Sequence, residues 1–126
     1  MKALTIKEPW ASLIINNYKT YEFRSWKTNY RGKILIHAGL SLEKNELKYF
    51  EDYNLNYQCG NIIGEATITD CILVTKEFNK KLLDINNKVY KNNHENLYAW
   101  KLENIVKHEN PIPIKGKLGL WNYKED

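Results

Sequence analysis

Residues 8–38, EPWASLIINNYKTYEFRSWKTNYRGKILIHA, decide the reading of this chain. Pro9 suits the first position of a helix, where its missing N–H has no intrahelical partner to lose. Trp10, Leu13 and Ile14 then fall at i, i+3 and i+4 on one face, which predicts a short helix ending near Asn16-Asn17. From residue 20 to 26 the period changes to two. Tyr21 and Phe23 point one way, and Glu22, Arg24 and Trp26 point the other. Residues 32–38, GKILIHA, read as a further strand rich in β-branched side chains.

The same stretch concentrates the charge. Residues 1–40 hold seven Lys and Arg against two acids, a net of +5. The other 86 residues hold twelve Lys and thirteen acids. The whole positive excess therefore lies beside Trp10 and Trp26. Cations next to flat aromatic rings suit a ligand that carries both phosphate and base.

Working outward, residues 1–6 read as a short first strand. Ser41 is placed to cap a helix of about ten residues, with Leu47 and Phe50 turned inward. Residues 61–74, NIIGEATITDCILV, are the longest strand candidate, with Ile62, Gly64, Ala66, Ile68 and Ile72 facing the core. Residues 76–83 suggest a short helix, and the Asn-rich run 86–96 (NNKVYKNNHEN) an exposed polar loop. Residues 98–106 alternate again. Pro111 and Pro113 are expected to break the ladder and mark an edge or crossover. Residues 116–123, GKLGLWNY, close the chain as a last strand. The expectation is an α+β domain: a small, mostly antiparallel β-barrel with two or three short helices in its connections.

At 126 residues the chain fits one compact domain over 1–126. Its 43% hydrophobic content and sixteen aromatics exclude general disorder. No apolar run approaches a membrane span, and the N-terminus lacks a signal peptide's apolar core. A cytoplasmic location is the default expectation. Cys59 and Cys71 then read as free thiols packed as small hydrophobes. Those cysteines and His37, His94 and His108 show no close ligand spacing, so no metal is expected. With no Gly-rich phosphate loop and no dinucleotide fingerprint, no cofactor is expected either.

Five blocks resemble the ASCH domain family in the family's order: KALTIKEPWASLI, YKTYEFRSWKTNYRGKILIHA, IIGEATITDC, YAWKLEN and PIPIKGKLGLW. The first two are the most specific. The resemblance implies a PUA-like fold and an association with RNA metabolism. One branch of the family hydrolyses N4-acetylcytidine to cytidine. That branch uses a Lys, a Thr three residues later and an Arg two further on. Lys19 and Arg24 match, while Glu22 stands at the Thr position. Glu8 stands where the family usually has Gln, and Tyr18 where it usually has Gly.

Each candidate side chain has a plain structural reading beside the functional one. Arg24 serves either a salt bridge with Glu22 or capture of a phosphate or carboxylate by its planar fork. Glu22 would be repelled by an anionic backbone, so it suits a base amino group. Lys19 is either a solvated turn lysine or, if buried in a cleft, one able to lose its proton. Trp10 and Trp26 are core residues or stacking platforms. Arg31 is expected as an exposed phosphate contact beside the Gly32 turn, His37 as a structural histidine, and Asp70 as a partner of nearby backbone. The first reading is a binding domain for RNA or a modified nucleotide, using Trp10, Lys19, Glu22, Arg24, Trp26 and Arg31. The alternatives are a small amidohydrolase acting on N4-acylated cytidine through Lys19 and Glu22, and a protein-interaction module.

Overall fold

The computed structural model describes residues 1–124. Six strands form one mixed sheet. In chain order they are β1 (Lys2–Glu8), β2 (Tyr21–Arg24), β3 (Gly32–Leu42), β4 (Asn61–Leu73), β5 (Tyr98–Pro113) and β6 (Leu120–Asn122). Helix α1 (Trp10–Ile15) follows β1, α2 (Lys44–Leu47) follows β3, and α3 (Lys76–Ile85) follows β4. A 3₁₀ segment, Lys48–Tyr53, continues from α2.

The strand order is β2-β5-β4-β3-β1-β6. Among the described residues only β1 and β3 pair in parallel; the other ladders are antiparallel. The domain is therefore α+β and mostly antiparallel, but the sheet does not close into the expected barrel. Its edges, β2 and β6, share no ladder among the described residues. They are four and three residues long, which gives closure little backbone to work with. Arg24 spans the seam instead, donating from Nη2 to the Thr5 carbonyl of β1 at 2.9 Å.

The main core lies between α1 and the sheet, where Leu4, Ile6, Ile14, Ile34, Ile36 and Trp100 are essentially fully buried. Gly64 permits this packing. A Cβ there would stand 2.4 Å from the Val106 carbonyl oxygen and 2.6 Å from Ile15 Cδ1. A second core, around Leu13, Phe50, Leu82 and Tyr90, joins the helices to β2 and β5.

Two local expectations change and a third holds in part. Ser41 does not cap a helix. Pairing of β1 with β3 runs on to Glu8 opposite Leu42, so Ser41 belongs to the strand and α2 starts after Glu43. The 86–96 run is not a fully exposed loop, because Val89 and Tyr90 are buried. Asn86 shapes it by accepting from the Lys88 and Val89 amides, and the Tyr90 hydroxyl accepts from the Thr20 amide. The proline expectation holds in part: the β4–β5 ladder jumps from Lys107 opposite Gly64 to Ile112 opposite Ile62, skipping Pro111, while β5 itself runs on to Pro113 opposite Asn61. β2 covers β5 only at residues 98–101. The prolines therefore sit on an uncovered edge, where a missing N–H costs no ladder bond.

Candidate functional site

The turn after α1 delivers Lys19. The amides of Tyr18 and Lys19 both donate to the Leu13 carbonyl, and Asn17 takes a left-handed conformation (φ 66°) to reverse the chain. Lys19 is thereby driven inward and is only 3% exposed. Its Nζ donates to the Tyr21 carbonyl at 2.5 Å and to Glu22 Oε1 at 2.8 Å. It also stands 5.9 Å from the Trp10 ring centre and 5.1 Å from that of Phe23, within cation–π range.

Strand β2 supplies the rest of the cluster. Glu22 Oε2 accepts from Arg24 Nε at 3.1 Å and Nη2 at 2.9 Å. One buried carboxylate is thus held between two cations. Burial alone would raise its pKa, but Lys19 and Arg24 outweigh burial and hold it below the usual carboxylate range. Lys19 is pushed below the usual lysine range by burial, against the pull of Glu22. Arg24 is held at Nε and Nη2, and its Nη1 has no protein partner among the described residues. Two guanidinium N–H groups remain for a ligand.

Two cavities share Trp10, Glu22 and Phe23 as a common wall. The larger, about 410 Å³, lies at the open seam and reaches Thr5, Lys7, Arg24, Leu40 and Leu118. The smaller, about 300 Å³, is lined further by Lys19, Val89, Asn92, His94 and Leu97. Trp10, Lys19, Glu22 and Arg24 therefore meet around one divided cleft. Trp26 and Arg31 line neither cavity. Trp26 is edge-on to Trp100, and its carbonyl accepts from Trp100 Nε1 at 3.3 Å. Arg31 donates to the carbonyls of Thr28 and Tyr30 and steadies that turn.

Two cleft residues escaped the sequence reading. Phe23 alternates toward the second core, yet it also walls both cavities. His94 stacks on it, with ring centres 3.8 Å apart and planes at 19°. Burial, aided by the nearby Lys19 charge, lowers the His94 pKa to about 4. Its ring is neutral at physiological pH. The apolar Val-Tyr pair inside the polar 86–96 run was the one available signal that this segment is anchored inward.

Other residues have structural roles. His37 lies between Thr5 Oγ1 and the Ile114 carbonyl. Asp70 accepts from the Cys71 amide. Glu8 is buried and accepts from the Ser12 amide and hydroxyl; burial raises its pKa despite those bonds. Cys59 and Cys71 are free thiols. Among the described residues, no group of His, Cys, Asp and Glu is arranged to hold a metal ion. No helix there is long and apolar enough to cross a membrane.

The ASCH domain model matches residues 4–112, which includes the whole Lys19–Glu22–Arg24 cluster. This chain belongs to the ASCH domain family. The domain is 28% identical over 132 residues to activating signal cointegrator 1 of Homo sapiens, and 26% over 130 residues to that of Mus musculus. Each match covers 94% of this chain and 21% of the relative, so the chain spans about a fifth of the length of these relatives. Among solved structures it is similar to the ASCH protein of Zymomonas mobilis. The TM-score is 0.56 at 14% identity, covering 89% of this chain and 72% of that one. A point variant of the same protein matches at a TM-score of 0.56 and 16% identity, covering 89% and 74%. At such identities the likeness concerns the fold.

Proposed function

We propose that this ASCH domain binds single-stranded RNA, or a nucleotide-like fragment of it, in the divided cleft. The observation that carries the reading is the Lys19–Glu22–Arg24 cluster. A buried carboxylate with two cations leaves one positive charge in excess, walled by Trp10 and Phe23 and open to solvent along the sheet seam. The Arg24 Nη1 edge suits a phosphate oxygen. Trp10 supplies a stacking face. The Lys19 and His94 side suits the base, where a neutral imidazole offers a hydrogen bond without repelling Lys19. Trp26 and Arg31, outside the cavities, would meet the strand beyond them. The test is fluorescence anisotropy with labelled single-stranded RNA across a salt series. Affinity that falls steeply with salt, and falls further in Arg24→Ala, supports the reading. Absence of binding at low salt to RNA oligomers and to nucleoside monophosphates overturns it.

The amidohydrolase reading ranks second, and the hydrogen bond between Lys19 and Glu22 favours it. Against it, a carboxylate neutralised by two cations is a weak proton acceptor. Both Lys19 and Glu22 are also committed to one another. Cytidine release from N4-acetylcytidine by the wild type, lost in Lys19→Ala and Glu22→Gln, would reverse the ranking.

A further inference from the structure

A third cavity of about 750 Å³ continues from the Arg24 side of the cleft. It shares Thr5, Gly39, Leu40, Lys117 and Leu118 with its neighbour and extends to His37, Gly60 and the 113–116 segment. The partition between the two carries Leu40, 81% exposed, and Leu118, 98% exposed. A single exposed leucine needs no explanation. Two on the divide between adjoining cavities are another matter, because each stands free of the packing around it.

The partition is a built feature. The strap 113–119 is pinned by the His37 ring, which lies against the Ile114 carbonyl at 2.7 Å. Gly116 allows that approach, since a Cβ there would fall 2.6 Å from the ring and from Thr5 Oγ1. Leu40 extends from the exposed end of β3, directly after the buried run 34–39 that anchors the strand in the sheet. The surrounding charge has one sign. Among the described residues, Lys115 and Lys117 line the third cavity and form no ion pair, and no carboxylate lines it. Lys7, on the near side, already holds Glu43.

We propose that Leu40 and Leu118 form a wedge that splays two successive bases of a bound single strand, one into the Arg24 cavity and the next into the His37–Ile114 cavity. Apolar side chains that enter a base step separate the bases and take over part of their stacking. The connecting phosphate then passes Lys117, and Lys115 meets the following one. This rests on the proposed nucleic-acid reading and adds to it a second nucleotide subsite.

The experiment uses the full chain and short single-stranded RNAs containing two adjacent purines, with 2-aminopurine placed at each of the two positions in turn. Its fluorescence is quenched by stacking and restored on unstacking, and the placement that enters the His37–Ile114 cavity, away from Trp10, is the reporter. Binding is followed separately by anisotropy of an end label. The expected result is a rise in 2-aminopurine emission on binding, and a dinucleotide bound about tenfold more tightly than a mononucleotide. Leu40→Ser with Leu118→Ser should remove most of both effects while leaving the circular dichroism spectrum intact, since both side chains are exposed. Binding without an emission rise, or a rise that survives in the double variant, overturns the wedge and leaves the cleft reading standing. Failure of the RNA to bind at all overturns both.

Discussion

Removing the negative charge at the centre of the cluster is the most informative perturbation of stability. In Glu22→Gln, the amide oxygen can still accept from Lys19, but the amide nitrogen then faces the Arg24 donors at about 3 Å. Both guanidinium bonds are lost, and Lys19, 3% exposed, is left without its counter-charge. An exposed pair would cost about 0–1 kcal/mol. Breaking a buried pair costs about 3–5 kcal/mol, because the remaining charge stays desolvated. For a domain of this size that amounts to a midpoint lower by roughly 10–25 °C. The loss should depend on pH. Lys19 is already pushed toward its neutral form by burial, and loss of Glu22 pushes it further. In the alkaline window between that lowered value and the free lysine value near about 10.4, the native variant binds fewer protons than the unfolded chain. Its stability therefore rises with pH there, and the gap from wild type narrows. Urea unfolding of both proteins at pH 7 and pH 10 measures this. A deficit below about 1 kcal/mol, or one equal at both pH values, would refute the buried-pair account.

Two further outcomes follow from other buried groups. Glu8 has a folded pKa raised by burial, so its contribution is fully present below about pH 4.3 and is lost as pH rises through the folded value. Glu8→Gln should raise the thermal midpoint at pH 7.5, with the advantage vanishing below pH ~4; a midpoint at or below wild type at pH 7.5 contradicts this. His94, lowered to about 4, resists protonation that the unfolded chain accepts near about 6.5. Stability should fall as pH drops through that window, by about 1–2 kcal/mol after allowing for its partial solvent exposure. Thermal melts of His94→Gln should show this acid-side loss removed, and an unchanged slope between pH 6.5 and 4 would exclude His94 as its source.

The elements easiest to read were those whose own pattern matched their surroundings. β3 and β4 are long β-branched runs buried near the middle of the sheet, and α1 carries its apolar face at helical spacing. The grouping of Lys19, Glu22 and Arg24 was legible because a four-residue strand and the turn before it place them together locally. Ser41 was misread because its capping chemistry competes with parallel pairing to β1, which is non-local. Barrel closure depends on how far two short edge strands extend, and side-chain alternation carries no such information. His94 was missed for a related reason. It lies some seventy residues beyond Phe23 in an Asn-rich run, and only the burial of Val89 and Tyr90 brings its ring onto the cleft wall.

The central claim is that the divided cleft holds the ligand. Chemical-shift mapping on ¹⁵N-labelled protein, titrated with single-stranded RNA at low salt, tests it most directly. The Trp10 indole and the Arg24 side chain both line the cleft, whereas Glu65, His108 and Ile112 border a separate cavity. The account predicts that the Trp10 indole N–H and Arg24 Nε–H signals move progressively and saturably, while the amides of Glu65, His108 and Ile112 stay in place. Shifts confined to Glu65, His108 and Ile112, with Trp10 and Arg24 unmoved, would contradict it.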